Sequence, residues 1–133
     1  MRRALFVVVL VCASALPAFA QGAFPPSSLK NLQALPKDTP VPVVINMMKG
    51  FTGALGVRCQ FCHVGKEGLP LDQFDFVSDE IPQKKTARVM IRLAMDINTQ
   101  LDAAVPRSAG TEARVTCITC HRGKSTPTST KEP

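Results

Sequence analysis

The chain has no tryptophan, no tyrosine and only 7 phenylalanines among 133 residues. Aromatic rings therefore cannot fill its interior. A core must come from aliphatic side chains or from a body that the sequence does not encode. Histidine occurs 2 times and cysteine 5 times, which confines metal and redox chemistry to a handful of positions. Charged residues at 20% and hydrophobic residues at 45% exclude global disorder, and also a collagen-like or multi-pass membrane composition. A chain of this length is expected to form one domain. The formal charge of +6 is modest and no aromatics interleave the basic residues, so nucleic-acid binding is not expected.

The first twenty residues read as an address. Arg2 and Arg3 form a short basic start, an apolar run follows over 4–16, and Pro17-Ala18-Phe19-Ala20 supplies small residues at a cleavage site. A cleaved secretory signal over 1–20 is expected, with the mature chain starting at Gln21. An uncleaved anchor helix fits less well, because the charge-free stretch is short for a bilayer span. Export to the periplasm follows from this reading. Cys12 leaves with the signal.

Every remaining cysteine and both histidines fall in one repeated pattern. Cys59-Gln60-Phe61-Cys62-His63-Val64-Gly65-Lys66 and Cys117-Ile118-Thr119-Cys120-His121-Arg122-Gly123-Lys124 share C-x-x-C-H-x-G-K. C-x-x-C-H is the attachment signature of a c-type haem: two thiols bond one porphyrin edge, and the adjacent imidazole ligates the iron. Paired disulfides would leave the histidines unexplained. A zinc site would need a shorter interval between the pairs and free thiolates outside the cytoplasm. A thioredoxin-like motif would need a βαβ context that the sequence lacks. Two c-type haems are expected, with Cys59, Cys62, Cys117 and Cys120 as attachment residues and His63 and His121 as iron ligands.

The periodicity places helices beside the motifs. Asp38 or Thr39 is expected to cap a helix over Val41–Leu55, with Gly56 at its C-terminal end. Val41, Val44, Ile45, Met48, Phe51, Thr52 and Leu55 form its apolar stripe, with Met47 at the edge. A loop is expected over 64–78. A second helix then runs from about Ser78 or Asp79 to about Asp102, with Met90, Leu93, Ala94, Ile97 and Leu101 as its stripe. Lys84, Lys85, Arg88, Arg92 and Met95 fall on the opposite face. Both histidines are already used, so methionine is the remaining soft sixth ligand: Met48 for the first haem and Met90 for the second, with Met47 and Met95 as fallbacks.

Several segments of the chain resemble the cytochrome c subunit of photosynthetic reaction centres and the small soluble cytochromes related to it. These are Met47-Met48, Ala54-Leu55-Gly56-Val57-Arg58-Cys59-Gln60-Phe61-Cys62-His63-Val64, Ala87-Arg88-Val89-Met90, Asp96-Ile97-Asn98 and Val115-Thr116-Cys117-Ile118-Thr119-Cys120-His121-Arg122-Gly123. The resemblance covers roughly 36–125. It implies that each haem lies beside a helix and takes a methionine from it, which by position again means Met48 and Met90. The reaction-centre subunit typically holds four haems, whereas this chain carries motifs for two, and a soluble dihaem carrier in a respiratory chain fits better.

The expected fold class is mainly α: a small multihaem c-type cytochrome of two helix-plus-C-x-x-C-H units packed around two haems. The expected organisation is a signal over 1–20, an irregular segment over 21–38, a dihaem domain over 39–124 and a flexible tail over 125–133. His/Met ligation leaves no open iron position, so electron transfer without bond chemistry is the expected work, and the protein is not expected to be an enzyme. The rivals are a small dihaem peroxidase or gas-binding protein with one open iron, and a subunit of a membrane redox complex. Redox proteins are the expected partners, with membrane contact only through a partner complex. If the face Lys84, Lys85, Arg88 and Arg92 steers them, they are acidic; otherwise it is an ordinary solvated surface.

Overall fold

A computed structural model describes residues 23–105 and 115–128. The expected signal over 1–20, most of the loop over 103–114 and the end of the tail lie outside the described residues. Three helices form the frame: α1 (Val41–Leu55), α2 (Pro82–Ala104) and α3 (Cys117–His121). Short 3-10 turns at Cys59–Phe61 and Leu71–Gln73 punctuate the connection between α1 and α2. Among the described residues there is no strand, only an isolated antiparallel bridge between Val64 and Asp75.

α1 has the expected bounds, but its start is built differently. Pro40 holds the N-cap position, and no side chain caps the helix. Thr39 is already engaged: its N–H and hydroxyl both donate to the Pro36 carbonyl, at 3.1 and 2.6 Å. Pro42 lies in the first turn, where a missing N–H costs nothing. At the other end Gly56 adopts φ 65°, ψ 33°, the left-handed conformation that glycine reaches without penalty. The expected stripe is the covered face: Val44 is buried, and Val41, Ile45, Met48, Phe51, Thr52 and Leu55 are half-buried.

α2 begins at Pro82, later than the expected Ser78 or Asp79. The residues before it make tight turns instead. The Asp75 carboxylate accepts the N–H groups of Val77 and Ser78 at 2.8 and 2.9 Å, and the Ser78 hydroxyl accepts that of Glu80 at 3.1 Å. These turns direct the carbonyls of Phe76, Val77 and Ser78 at a single ammonium group. Lys84 Nζ donates to all three, at 2.9, 3.0 and 2.6 Å.

Half of the basic face of α2, Lys84 and Arg88, is therefore internal, which corrects its reading as a partner-steering surface at those two positions. Lys84 is only 8% exposed. Arg88 grips Asp79 with two bonds of 2.9 and 2.8 Å and also donates to the Asn31 carbonyl at 3.2 Å. Asn31 in turn donates to Asp79 and to the Val77 carbonyl, and Arg92 donates to the Gln33 carbonyl at 3.0 Å. A buried charge is tolerated only when paired and fully hydrogen-bonded, and this cluster meets that condition. It ties the N-terminal segment, the loop before α2 and α2 itself into one body. Of the four cations, Lys85 and Arg92 stay exposed, and Lys85 has no such role.

The Arg88 hydrogen bonds hold the Asp79 carboxyl well below the ordinary 3.8; burial opposes this, and Asn31 and Lys84 add to the lowering. A carboxyl depressed in the folded state stabilises the fold above its unfolded value and loses that contribution as pH falls toward its folded value. Asp79→Asn should therefore lower the thermal midpoint at neutral pH, and the gap from the parent chain should shrink once pH drops below about 4. Thermal melts of the two chains across pH check this; a gap that stays constant into strong acid would rule it out.

Candidate haem-attachment sites

The two C-x-x-C-H motifs form different turns. The first winds as a 3-10 turn from Cys59, with the N–H groups of Cys62 and His63 both returning to the Cys59 carbonyl at 3.2 and 3.0 Å. The second is α3 itself. It opens on a capping box in which Thr116 and Thr119 satisfy each other's backbone N–H groups. It closes at Arg122 and Gly123, with φ 50° and 81°. In both turns the two cysteines and the histidine lie on successive steps of a single tight winding, so they project from one short segment. This helix was not foreseen. Its five residues contain the β-branched Ile118 and Thr119, and the signal for it is Thr116 three residues before Thr119.

The histidines differ in their surroundings. His121 Nδ1 lies 2.9 Å from the Lys124 carbonyl, so Nδ1–H donates there and Nε2 keeps its lone pair for a metal. His63 is packed edge-on against Phe76, with ring centroids 4.9 Å apart, and Phe76 is flanked by Phe24 and Phe74 at 5.6 and 5.7 Å. His63 Nδ1 is buried and has no hydrogen-bond partner. Burial lowers the His63 imidazole to about 4; Lys84 and then Arg88 add to the lowering, and Asp75 opposes it. His63 is consequently neutral at physiological pH, the form that ligates metals.

The cysteines are free thiols. Burial raises Cys62, helped by Cys59 and opposed by Lys84; burial also raises Cys117, opposed by its own backbone hydrogen bond and helped by Cys120. Raised thiols are the opposite of the activated thiolates of a redox motif. Among the described residues no three His, Cys, Asp or Glu side chains converge on one point.

Two further contacts position the second motif. Gly123 N–H donates to the Ala54 carbonyl at 2.8 Å, and a Cβ on Gly56 would run into the Gly123 carbonyl. The end of α1 is therefore seated directly on the end of α3. From the other side, Asn98 on α2 pairs reciprocally with Val115: Nδ2 donates to its carbonyl at 2.7 Å and Oδ1 accepts its N–H at 2.9 Å. Asn98 thus sets where the chain enters the motif, a role that periodicity does not reveal. A side-chain amide clasping one distant residue is legible only once the fold brings them together.

The methionines lie on faces that the polypeptide covers unequally. Met47 and Met48 are half-buried on α1. On α2, Met90 is 41% exposed and Met95 50%, so burial does not separate them as the helical phase suggested. Val89 and Leu93 are exposed beside Met90, leaving a continuous apolar strip next to a thioether. Thiols in pairs, an imidazole after each pair and an apolar strip carrying a methionine form a donor set that fits haem.

Helical frames bearing paired C-x-x-C-H turns define the class of c-type cytochromes. Residues 69–131 match the family described as photosynthetic reaction centre cytochrome c subunit. It is 37% identical over 91 residues to cytochrome c-554 of Chloroflexus aurantiacus, covering 68% of this chain and 20% of that one. It is 32% identical over 89 residues to the photosynthetic reaction center cytochrome c subunit of Rubrivivax gelatinosus, covering 61% and 23%. The subunit of Thermochromatium tepidum is likewise 32% identical over 89 residues, covering 61% and 20%. The chain spans about a fifth of the length of these curated relatives. No solved structure matches it.

Asn98→Ala should lower stability by about 1–3 kcal/mol, because the backbone groups of Val115 lose their partner. Chemical denaturation of the haem-loaded chain measures this; an unchanged midpoint would show that the clasp does not hold the motif.

Proposed function

We propose that this chain is an exported dihaem c-type cytochrome that passes single electrons between redox proteins. The observation that carries the reading is the duplicated C-x-x-C-H-x-G-K, each copy wound so that two thiols and an imidazole project from one turn. Cys59 and Cys62 would hold one haem and Cys117 and Cys120 the other, with His63 and His121 as iron ligands. Met48 and Met90 would complete the two coordination spheres. Haem bound at these residues supplies one-electron Fe(II)/Fe(III) chemistry, and thioether ligation favours the reduced state.

The chain's own residues do the rest. The Lys124 carbonyl orients His121 through Nδ1–H, and the Phe24–Phe76–Phe74 wall shields His63 from water. If Met48 and Met90 were the second protein ligands beside His63 and His121, neither iron would offer a site to peroxide, which would favour a carrier over a peroxidase. Among the described residues no helix is long and apolar enough to cross a membrane. Periplasmic residence and membrane contact only through a partner complex are consistent with that. The relatives named for photosynthetic reaction centers make a membrane redox complex one such partner. With Lys84 and Arg88 committed internally, any acidic partner would have to find other cations.

Two measurements test the reading. Expressed with haem-maturation machinery, the full chain should gain the mass of two haems; bound zinc without haem would overturn it. Met48→Ala and Met90→Ala should each remove about half of the Fe–S charge-transfer absorption and open one iron to carbon monoxide. Met47→Ala should cost only packing, and Met95→Ala should leave the absorption intact. Loss of the band in Met95→Ala would transfer the second ligand from Met90 to Met95. Rapid carbon monoxide binding by the parent chain would favour the open-iron enzyme.

A further inference from the structure

Two motifs with the same letters hold their histidines differently. His121 Nδ1–H donates to the Lys124 carbonyl at 2.9 Å, and the Lys124 N–H returns to the His121 carbonyl at 2.9 Å, so the acceptor is fixed by backbone on both sides. The matching atom of His63 is buried and unpaired. In place of a carbonyl, His63 meets the edge of Phe76, whose own carbonyl takes a bond from the Lys84 ammonium at 2.9 Å. Arg88 lies behind the same wall, gripping Asp79. Two anions belong to this neighbourhood. Asp79 is spent on Arg88 and Lys84, while Asp75 is exposed with its carboxylate turned toward Val77 and Ser78.

We infer that His63 and His121 are unequal axial ligands, and that the inequality makes the His63 site the higher-potential of the two. This rests on the proposal that both histidines ligate haem iron. Two effects act with one sign. A hydrogen bond from Nδ1 to a carbonyl makes an imidazole a stronger electron donor and stabilises ferric iron; His121 makes that bond and His63 does not. Cations beside a site favour its less positive, ferrous state; the little-exposed Lys84 and Arg88 stand on the His63 side, offset only in part by the Asp79 they share, while the exposed Asp75 opposes them more weakly. Exposure adds a smaller contribution in the same direction: Cys120 is exposed, whereas Cys59, Cys62 and Cys117 are half-buried, and water favours the more charged ferric form. The chain is thereby polarised, with reducing equivalents resting at the His63 end.

The test uses the full haem-loaded chain labelled with 15N-histidine. Only two histidines exist, and contact with the Phe76 ring assigns His63. An equilibrium redox titration followed through both imidazoles should show His63 turning ferrous first. The separation should exceed tenfold in the partition of one electron, or about 59 mV. In the reduced protein the His121 Nδ1–H should lie downfield of that of His63 and exchange more slowly. Lys84→Gln should lower the potential of the His63 site and leave the His121 site unchanged, while Lys85→Gln, exposed on the same helix, should move neither. Should Lys84→Gln fail to fold, the titration and the imidazole shifts of the parent chain decide. Equal potentials, the reverse order, or matching Nδ1–H signals overturn the inference. A chain that takes up two haems yet titrates as one component refutes this inference alone, whereas a chain that binds none refutes the dihaem reading beneath it.

Discussion

A single buried ammonium organises the first half of this protein. Lys84 has three protons and finds three carbonyls in succession, those of Phe76, Val77 and Ser78, with Asp79 at 3.3 Å as counter-charge. Burial lowers its affinity for a proton while the Asp79 hydrogen bond and charge oppose that. Holding the charge therefore requires the loop before α2 to keep its carbonyls in place. The same loop carries Phe74 and Phe76 to His63. Remove the ammonium and three carbonyls and a carboxylate lose a common partner, the kind of loss that costs far more than a surface ion pair contributes.

The second half is held by backbone and amide groups. Ala54 accepts from Gly123, Gly56 lies against the Gly123 carbonyl, and Asn98 clasps Val115. None of these contacts involves a charge, so they are insensitive to salt and pH in a way that the Lys84 cluster is not. The two seams meet on α2, whose first turns hold Lys84 and Arg88 and whose later turns hold Asn98. One helix thus fixes the surroundings of both motifs, while α1 supplies the covered apolar stripe and the seat for α3.

The bounds of α1, its left-handed end at Gly56 and its covered stripe were legible in the sequence because apolar spacing and a glycine stop are local signals. The motif residues were legible because C-x-x-C-H is contiguous. What escaped was everything set by partners distant in sequence. The face with Lys84 and Arg88 reads as solvated because charges normally are; only the carbonyls of 76–78 and the carboxylate of Asp79 make burial possible. The start of α2 escaped for the same reason. Ser78 and Asp79 are good cap residues, but here one accepts from Glu80 within a turn and the other is gripped by Arg88. Asn31 gave no sign at all, and Asn98 stood only within the segment Asp96-Ile97-Asn98 of the family resemblance with no role attached, since an amide declares its role only through what it touches.

The repeated glycine shows how far a duplicated motif constrains its surroundings. Gly65 and Gly123 occupy the same position in C-x-x-C-H-x-G-K, and both resist a side chain for unrelated reasons. At Gly65 a Cβ would strike the Phe74 ring, so the glycine admits the aromatic wall beside His63. At Gly123 a Cβ would meet nothing, but φ of 81° turns the chain so that its N–H reaches Ala54 and the next carbonyl reaches His121. One glycine admits Phe74 against the Phe76 ring on which the unpaired His63 packs, and the other forms the turn that gives His121 its hydrogen bond. Identical letters thus build two unlike environments. The chemistry common to both motifs lies in the thiols and imidazoles, and the differences between them lie in the residues that pack around those groups.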